Sequence, residues 1–423
     1  MTPGELPAGQ LAPGETSVAI RVVLVDDGPR TVDNLAKLLS FEEDIQVVGS
    51  ALSAAGGIET VRRIQPDVLV MDVNLPDMDG IRATEQMSAE LPLVPVILIS
   101  VQEDREYLRR AMRAGARQYL VKPFGADELV DAIRRVHQME QLKRQVGTAP
   151  PPPPDDEGPA DGNVIVFYSG KGGVGKSTIA INTAAALAKE TGQEVALVDL
   201  DLQYGDVAVM LGLEPQGTIS DVAQAYPNID GPFLGALMPE ANQVRVLAAP
   251  LSPEMGDLVT PEHVRACLSM LKQVFDWVVV DMSQHLNDVA LEAVELADHV
   301  FLITDLNLPA IKDAKLAFRL FEHLGVPRER VLLVLNRADA PSDITVQHLE
   351  ANLRFPVGVS VPSQGKIVVK SIQSTVPFVV SDPDSEIALS IRELVGTLVP
   401  LADANRAGGR KQRRRLFARS SDS

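Results

Sequence analysis

Two doubly wound α/β domains, each a parallel sheet flanked by helices and joined by a proline-rich linker, are the architecture this sequence predicts. Three observations predict it. Short β-branched runs alternate with amphipathic stretches along two separate lengths of chain. Most of those runs end in a polar residue, which in doubly wound sheets falls where ligands bind. Five consecutive prolines, Pro150 to Pro154, divide the two lengths.

The 423-residue chain is long enough for two or three domains, and 45% hydrophobic with 23% charged residues reads as soluble and globular. No apolar run approaches the ~18 residues needed to span a bilayer. The opening "MTPGELPAGQLAPGETS" has no basic-then-apolar pattern, so no secretory leader is expected. A single cysteine, Cys267, excludes an internal disulfide and a cysteine-cluster metal site, and it reads as a buried helix residue. Together these features predict a cytoplasmic protein. A net charge of −18 argues against nucleic-acid binding by the protein as a whole.

Residues 1–18 are expected to be disordered and 19–145 to form the first domain. Its strand candidates are "IRVVLVDD", "IQVVGSA", "DVLVMDV", "PVILISV" and "QYLVKP". Asp26 and Asp27 end the first, Asp72 the third, Ser100 the fourth and Lys122 the fifth. Three converging carboxylates repel one another unless a cation neutralises them, and oxygen-only ligation suits Mg²⁺. With metal bound, Asp72 can attack phosphorus, while Ser100 and Lys122 offer a hydroxyl and an ammonium to the added oxygens. One aspartate at a strand end is commonly a helix cap; all five polar positions in order are not.

On these residues, with "MDVNLPDMDG" and Lys122-Pro123, the segment resembles a response-regulator receiver, a flavodoxin-like fold. The resemblance implies that Asp72 is the phosphoacceptor, with Asp26, Asp27 and the Asn74 backbone helping to hold Mg²⁺. Ser100, Tyr119 and Lys122 are then the switch residues, and a histidine kinase is the implied partner. The last helix, "DELVDAIRRVHQMEQLKRQV", carries Leu129, Ile133, Val136, Leu142 and Val146 at helical spacing. It overruns one core's needs, so a dimer contact and a solvated lead into the linker are both open.

Residues 146–162 form the linker, extended through its prolines at about 3.1 Å per residue. The second domain, 163–400, offers the strands "VIVFYSG", "EVALVDLD", "VRVLAAP", "WVVVDM", "HVFLITD" and "RVLLVLN". Between its first strand and first helix lies "SGKGGVGKST", in which Gly170, Gly175, Lys176 and Ser177 complete a phosphate-binding loop. Its free N–H groups and the helix N-terminus wrap phosphates. Lys176 would reach the β- and γ-phosphates of ATP, Ser177 the Mg²⁺ and Thr178 the α-phosphate. Lys171 lies too near the loop's start to repeat that work, and a second cation there makes most sense if it points at a partner chain's nucleotide.

The motif "KGGVGKST", Lys171 to Thr178 with Gly172, Gly173 and Val174, resembles the deviant P-loop of the MinD and ParA ATPases. The resemblance implies an ATP-bound homodimer in which Lys171 crosses the interface as a trans cation. By the same resemblance Asp201 positions the attacking water, Asp199 assists near the metal and Asp281 holds Mg²⁺ through water. "VLLVLNR" places Asn336 and Arg337 at the nucleotide, Asn336 on adenine. The sequence departs from the family after Asp281, where "MSQH" replaces a Pro- and Gly-containing turn. Iron–sulfur relatives need paired cysteines, and tyrosine kinases of this fold end in tyrosine clusters, whereas all five tyrosines here precede residue 227.

A receiver, a linker and this ATPase in one chain resemble the CpaE/TadZ proteins of Tad (Flp-type) pilus assembly. The resemblance implies an ATP-bound dimer that recruits pilus secretion machinery to a cell pole, peripheral to the inner membrane. A ParA-like DNA-partitioning ATPase and a MinD-like membrane-bound regulator of division or flagellar placement are the alternatives. Both involve the tail, 401–423, which is expected to be disordered and carries seven basic residues between Arg406 and Arg419. Such a tail suits an anionic membrane or DNA equally in magnitude.

Overall fold

The computed structural model describes residues 19–102, 105–146, 162–215 and 217–404. The expected disordered N-terminus, most of the linker and most of the basic tail lie outside the described residues. Two compact units part between Gln141 and Leu142.

In the first unit, strands β1 (Ile20–Val25), β2 (Ile45–Ala51), β3 (Val68–Asp72), β4 (Val96–Ser100) and β5 (Gln118–Val121) form one sheet in the order β2-β1-β3-β4-β5. Every pairing is parallel, as expected from helices that follow each strand. Val22, Leu24, Val70, Ile97 and Ile99 alternate with residues buried on the opposite face, so both faces are covered. Leu129, Ile133 and Val136 of the helix Ala126–Val146 are spent on this core, which removes them from any dimer contact. The side chains of Leu142 and Val146 fall outside the described residues.

In the second unit, β6 (Asn163–Tyr168), β7 (Val195–Leu200), β8 (Glu240–Ala241), β9 (Val244–Leu247), β10 (Trp277–Met282), β11 (His299–Thr304), β12 (Val331–Asn336) and β13 (Val357–Val361) form a second sheet. Its order is β13-β12-β11-β6-β10-β7-β9-β8, and only the edge pair β8–β9 is antiparallel. Both units are therefore doubly wound α/β sheets, as predicted. The final helix, Glu386–Ala404, continues past the expected boundary at 400.

The helix Lys176–Thr191 is buried on all sides from Ile179 to Ala188. Alanines dominate that stretch because it lies between the sheet and the helices Phe378–Ser381 and Glu386–Ala404. Cys267 is fully buried in the helix Pro261–Val274, and burial pushes its thiol up to about 12.

The order β11-β6-β10-β7 matters for function. It sets the loop after β6 beside the end of β10, with β7 next in the sheet, and Asp281 pairs in register with Asp199. Parallel pairing brings the chemistry-bearing ends of these strands to one edge of the sheet.

Candidate functional sites

In the first unit, the ligand oxygens of Asp26, Asp27 and Asp72 lie within 4.8 Å of one another. Asp26 and Asp72 are buried and Asp27 is exposed. The Lys122 ammonium donates to Asp26 Oδ2 at 2.9 Å and to Asp72 Oδ2 at 2.6 Å. Gly28 N–H donates to Asp26 Oδ1 at 2.9 Å, and Asn74 N–H to Asp72 Oδ1 at 3.1 Å.

Burial disfavours ionised Asp26, but Lys122 and the Gly28 N–H outweigh it and hold its pKa below the ordinary 3.8. Burial wins at Asp72, whose carboxyl is pushed above that value. Ser100 is buried at the end of β4, where its hydroxyl accepts from Gln102 N–H at 3.1 Å. Tyr119 is turned inward and donates to Gln102 O at 3.0 Å. All the predicted receiver residues thus come to one end of one sheet. The three carboxylates offer only hard oxygen donors, a set that fits Mg²⁺.

Sequence reasoning did not anticipate Asp77. Its two oxygens accept from Ala54 and Ala55 N–H, both at 2.8 Å, fastening the loop after Asp72 to the start of the preceding helix, Ala54–Ile64.

In the second unit, a cavity of about 770 Å³ is lined by Lys171, Gly172, Gly173, Gly175, Lys176, Ser177, Thr178, Asp201 and Arg337. Gly173 and Gly175 have φ of +76° and +92°, a region that Cβ-bearing residues rarely adopt. The loop therefore turns tightly enough to aim its N–H groups inward, ending at Gly175, which caps the helix Lys176–Thr191.

Lys176 Nζ lies 3.1 Å from Asp281 Oδ1, and Ser177 follows it at the start of the helix. Burial pushes Asp281 above the ordinary carboxylate range despite Lys176. Ser177 and Asp281 supply the hydroxyl and carboxylate oxygens that suit a Mg²⁺ ion held with waters.

Asp199, beside Asp281 on the neighbouring strand, is held by the backbone. Its two oxygens accept from Asp201 N–H at 3.0 Å and Val207 N–H at 3.2 Å. Burial, then repulsion from Asp281, pushes its carboxyl up to about 8. It shapes the loop that carries Asp201, whose own Oδ1 accepts from Tyr204 N–H at 3.2 Å.

Asn336 lies under the phosphate loop. Its Nδ2 donates to Val174 O at 2.6 Å and its Oδ1 accepts from Arg337 N–H at 2.9 Å. Arg337 in turn donates to Gly173 O at 3.1 Å.

Lys171 diverges from Lys176. Its ammonium donates to Asn307 Oδ1 at 2.9 Å, within the same chain. Asn307 also caps the helix Leu308–His323 through Ala310 N–H, and its Nδ2 bonds Asp305. Neither Asn307 nor Asp305 was a sequence candidate; the available signal was an Asn two residues before a proline, which marks only a helix start.

The comparisons follow this division. Residues 22–134 match the response regulator receiver domain, and residues 162–399 match the ParA family (NUBPL iron-transfer P-loop NTPase). The transcriptional regulatory protein MctR of Rhizobium johnstonii is 39% identical over 117 residues, covering 28% of this chain and 55% of that protein. This chain spans about half the length of the response regulators it matches. The septum site-determining protein MinD of Thermotoga maritima is 30% identical over 217 residues, covering 50% of this chain and 79% of MinD. A solved ParA family ATPase from Chlorobium tepidum superposes with a TM-score of 0.54 at 25% identity, covering 56% of this chain and 99% of that one.

Proposed function

The chain belongs to the ParA/MinD family of P-loop NTPases, fused behind a receiver domain, and from that premise we propose an ATP-driven positioning switch of the CpaE/TadZ kind. In this reading ATP binding drives homodimerisation, hydrolysis is slow and depends on the dimer, and the dimer localises Tad pilus machinery. The observation that carries it is the separation of the two lysines. Lys176 is paired with buried Asp281, whereas Lys171 is half-buried on the cavity wall and held by a single neutral acceptor. A cation so placed is available to a second chain.

Within one chain, the loop N–H groups from Gly172 to Ser177 would wrap the phosphates and Lys176 would neutralise them. Ser177 and Asp281 would hold Mg²⁺, which when bound supplies positive charge to the phosphate oxygens. Asp201 lines the same cavity and can accept a proton from water. Asp72, with Lys122 at 2.6 Å, is the proposed phosphoacceptor through which a histidine kinase tunes the switch.

The test uses the full chain with ATP and Mg²⁺. The parent is expected to dimerise on sedimentation, while Lys171→Ala binds ATP, stays monomeric and hardly turns over. A Lys171→Ala protein that dimerises like the parent refutes the trans role. In cells, fluorescent Asp201→Ala is expected as a discrete focus beside pili. An even coat on the nucleoid would move the protein to the DNA-partitioning class. Uniform membrane labelling would favour the MinD-like reading, which the 30% identity to MinD supports. No described helix is long and apolar enough to cross a membrane.

A further inference from the structure

The segment after β10 is where this chain leaves its family's pattern, and the structure gives that segment definite contacts. Ser283 and His285 close a tight turn, with His285 N–H donating to Ser283 Oγ at 3.2 Å and Ser283 Oγ to His285 O at 3.1 Å. Gln284, at the tip, lines the same cavity as Asp201. Its carboxamide oxygen lies against Gly172 of the phosphate loop, so closely that a Cβ on Gly172 would fall 2.5 Å from Oε1. Its nitrogen lies 3.4 Å from His285 Nε2.

The main chain of Gln284 is tethered as well. Tyr168, the last residue of β6, is buried and donates its hydroxyl to Gln284 O at 3.2 Å. The same hydroxyl lies 3.4 Å from the Cβ position of Gly170, at the first turn of the phosphate loop. One buried phenol therefore fixes the distance between the base of the loop and the tip that overhangs it.

We propose that Gln284 orients the water that attacks the terminal phosphate, and that Tyr168 is the positioning residue that holds Gln284 over the loop. The inference rests on the ATPase reading above. A carboxamide both accepts and donates, so it can take a hydrogen bond from the water and give one to a phosphate oxygen. A carboxylate such as Asp201 only accepts when ionised. In the step so assisted, the water oxygen forms a bond to the terminal phosphorus while the bond from that phosphorus to the bridging oxygen breaks. The bridging oxygen and its electron pair leave with ADP. One water proton stays on inorganic phosphate and the other is released to solvent, with Asp201 as its first acceptor. Orientation of this kind acts on the bond-making step and leaves ground-state binding nearly untouched.

The experiment is single-turnover and steady-state hydrolysis of Mg-ATP by the full chain, with nucleotide affinity measured in parallel. Gln284→Ala is expected to slow the single-turnover rate roughly 10- to 100-fold with KM within about twofold of the parent. Gln284→Glu keeps the size and an acceptor and recovers part of the rate. Tyr168→Phe keeps the ring and loses the tether, giving a smaller rate loss at unchanged ATP affinity. If the parent turns over and Gln284→Ala matches it, the inference fails alone. A loss of rate accompanied by an equal loss of ATP affinity also overturns it, because the residue then only shapes the loop. A parent with no turnover removes the ATPase reading and this inference with it.

Discussion

Replacing Asn307 with serine should release Lys171 without unseating the helix that Asn307 begins. The bond at stake is the 2.9 Å contact from Lys171 Nζ to Asn307 Oδ1. A hydrogen bond to a charged group contributes about 1.5–3 kcal/mol when sheltered, but both residues are half-exposed and water competes, which reduces it to ~1 kcal/mol. Serine is too short to reach the ammonium, yet its hydroxyl can still cap Ala310 N–H, so the helix loses only a few tenths of a kcal/mol. Asp305 loses the Asn307 amide but keeps Arg337 at 4.0 Å.

If Lys171 must leave Asn307 to reach a partner, a two-fold symmetric dimer breaks two such bonds. Removing both in advance favours the dimer by ~2 kcal/mol, or about 30-fold in its dissociation constant. Sedimentation equilibrium of the full chain with a non-hydrolysable ATP analogue measures that constant. A dimer of unchanged or weaker affinity would refute the argument that Asn307 restrains Lys171.

Three further outcomes are expected. A small phosphodonor such as acetyl phosphate should label Asp72, the label should vanish in Asp72→Asn, and mass spectrometry showing none on the parent removes the phosphoacceptor role. Gly80→Ala would place a Cβ 2.3 Å from Asp72 O and 2.8 Å from Val73 Cα, backbone atoms that cannot swing aside. It should cost the receiver about 1–3 kcal/mol, visible as a melting transition several degrees lower, and an unmoved transition contradicts the packing.

The third concerns acid stability. The Arg134 guanidinium holds Asp44 below its ordinary 3.8, at 2.7–2.8 Å. Because the folded pKa is the lower one, this stabilisation is full above the unfolded value and fades as pH falls through the folded value. Arg134→Gln should remove under about 1 kcal/mol near neutrality, since both side chains are over a third exposed, and should leave stability unchanged at the acid extreme. Equal destabilisation at both pH values would show that Arg134 acts through packing.

The sheets and the phosphate loop were legible because β-branched runs and glycine spacing are local signals. β13, "VGVSV", escaped notice: it is short, contains glycine, and exposes alternate residues at the sheet's edge. The two-residue β8 has no pattern to read. Lys171 and Lys176 were identified, but what each touches was not, since Asn307 and Asp281 stand 136 and 105 residues away in sequence. Asp199 shows the limit in another way. An acidic residue at a strand end suggests metal ligation, and only its contacts reveal two backbone N–H groups already satisfying it. Gln284 stands in sequence only as a departure from a family pattern, and its approach to Gly172 is a fact of three dimensions.

The props that Asn336 and Arg337 place under Val174 and Gly173 have a consequence for the order of events. They come from the end of β12, so contacts within one chain hold the curvature of the phosphate loop. A receptor whose shape is already set loses little configurational freedom on capture. In the proposed reading, single chains then fill once ATP is abundant, and the step left to control is the meeting of two loaded copies. At saturating ATP such a device responds to its own local density and no longer to its fuel, which suits a protein whose proposed task is to mark one place.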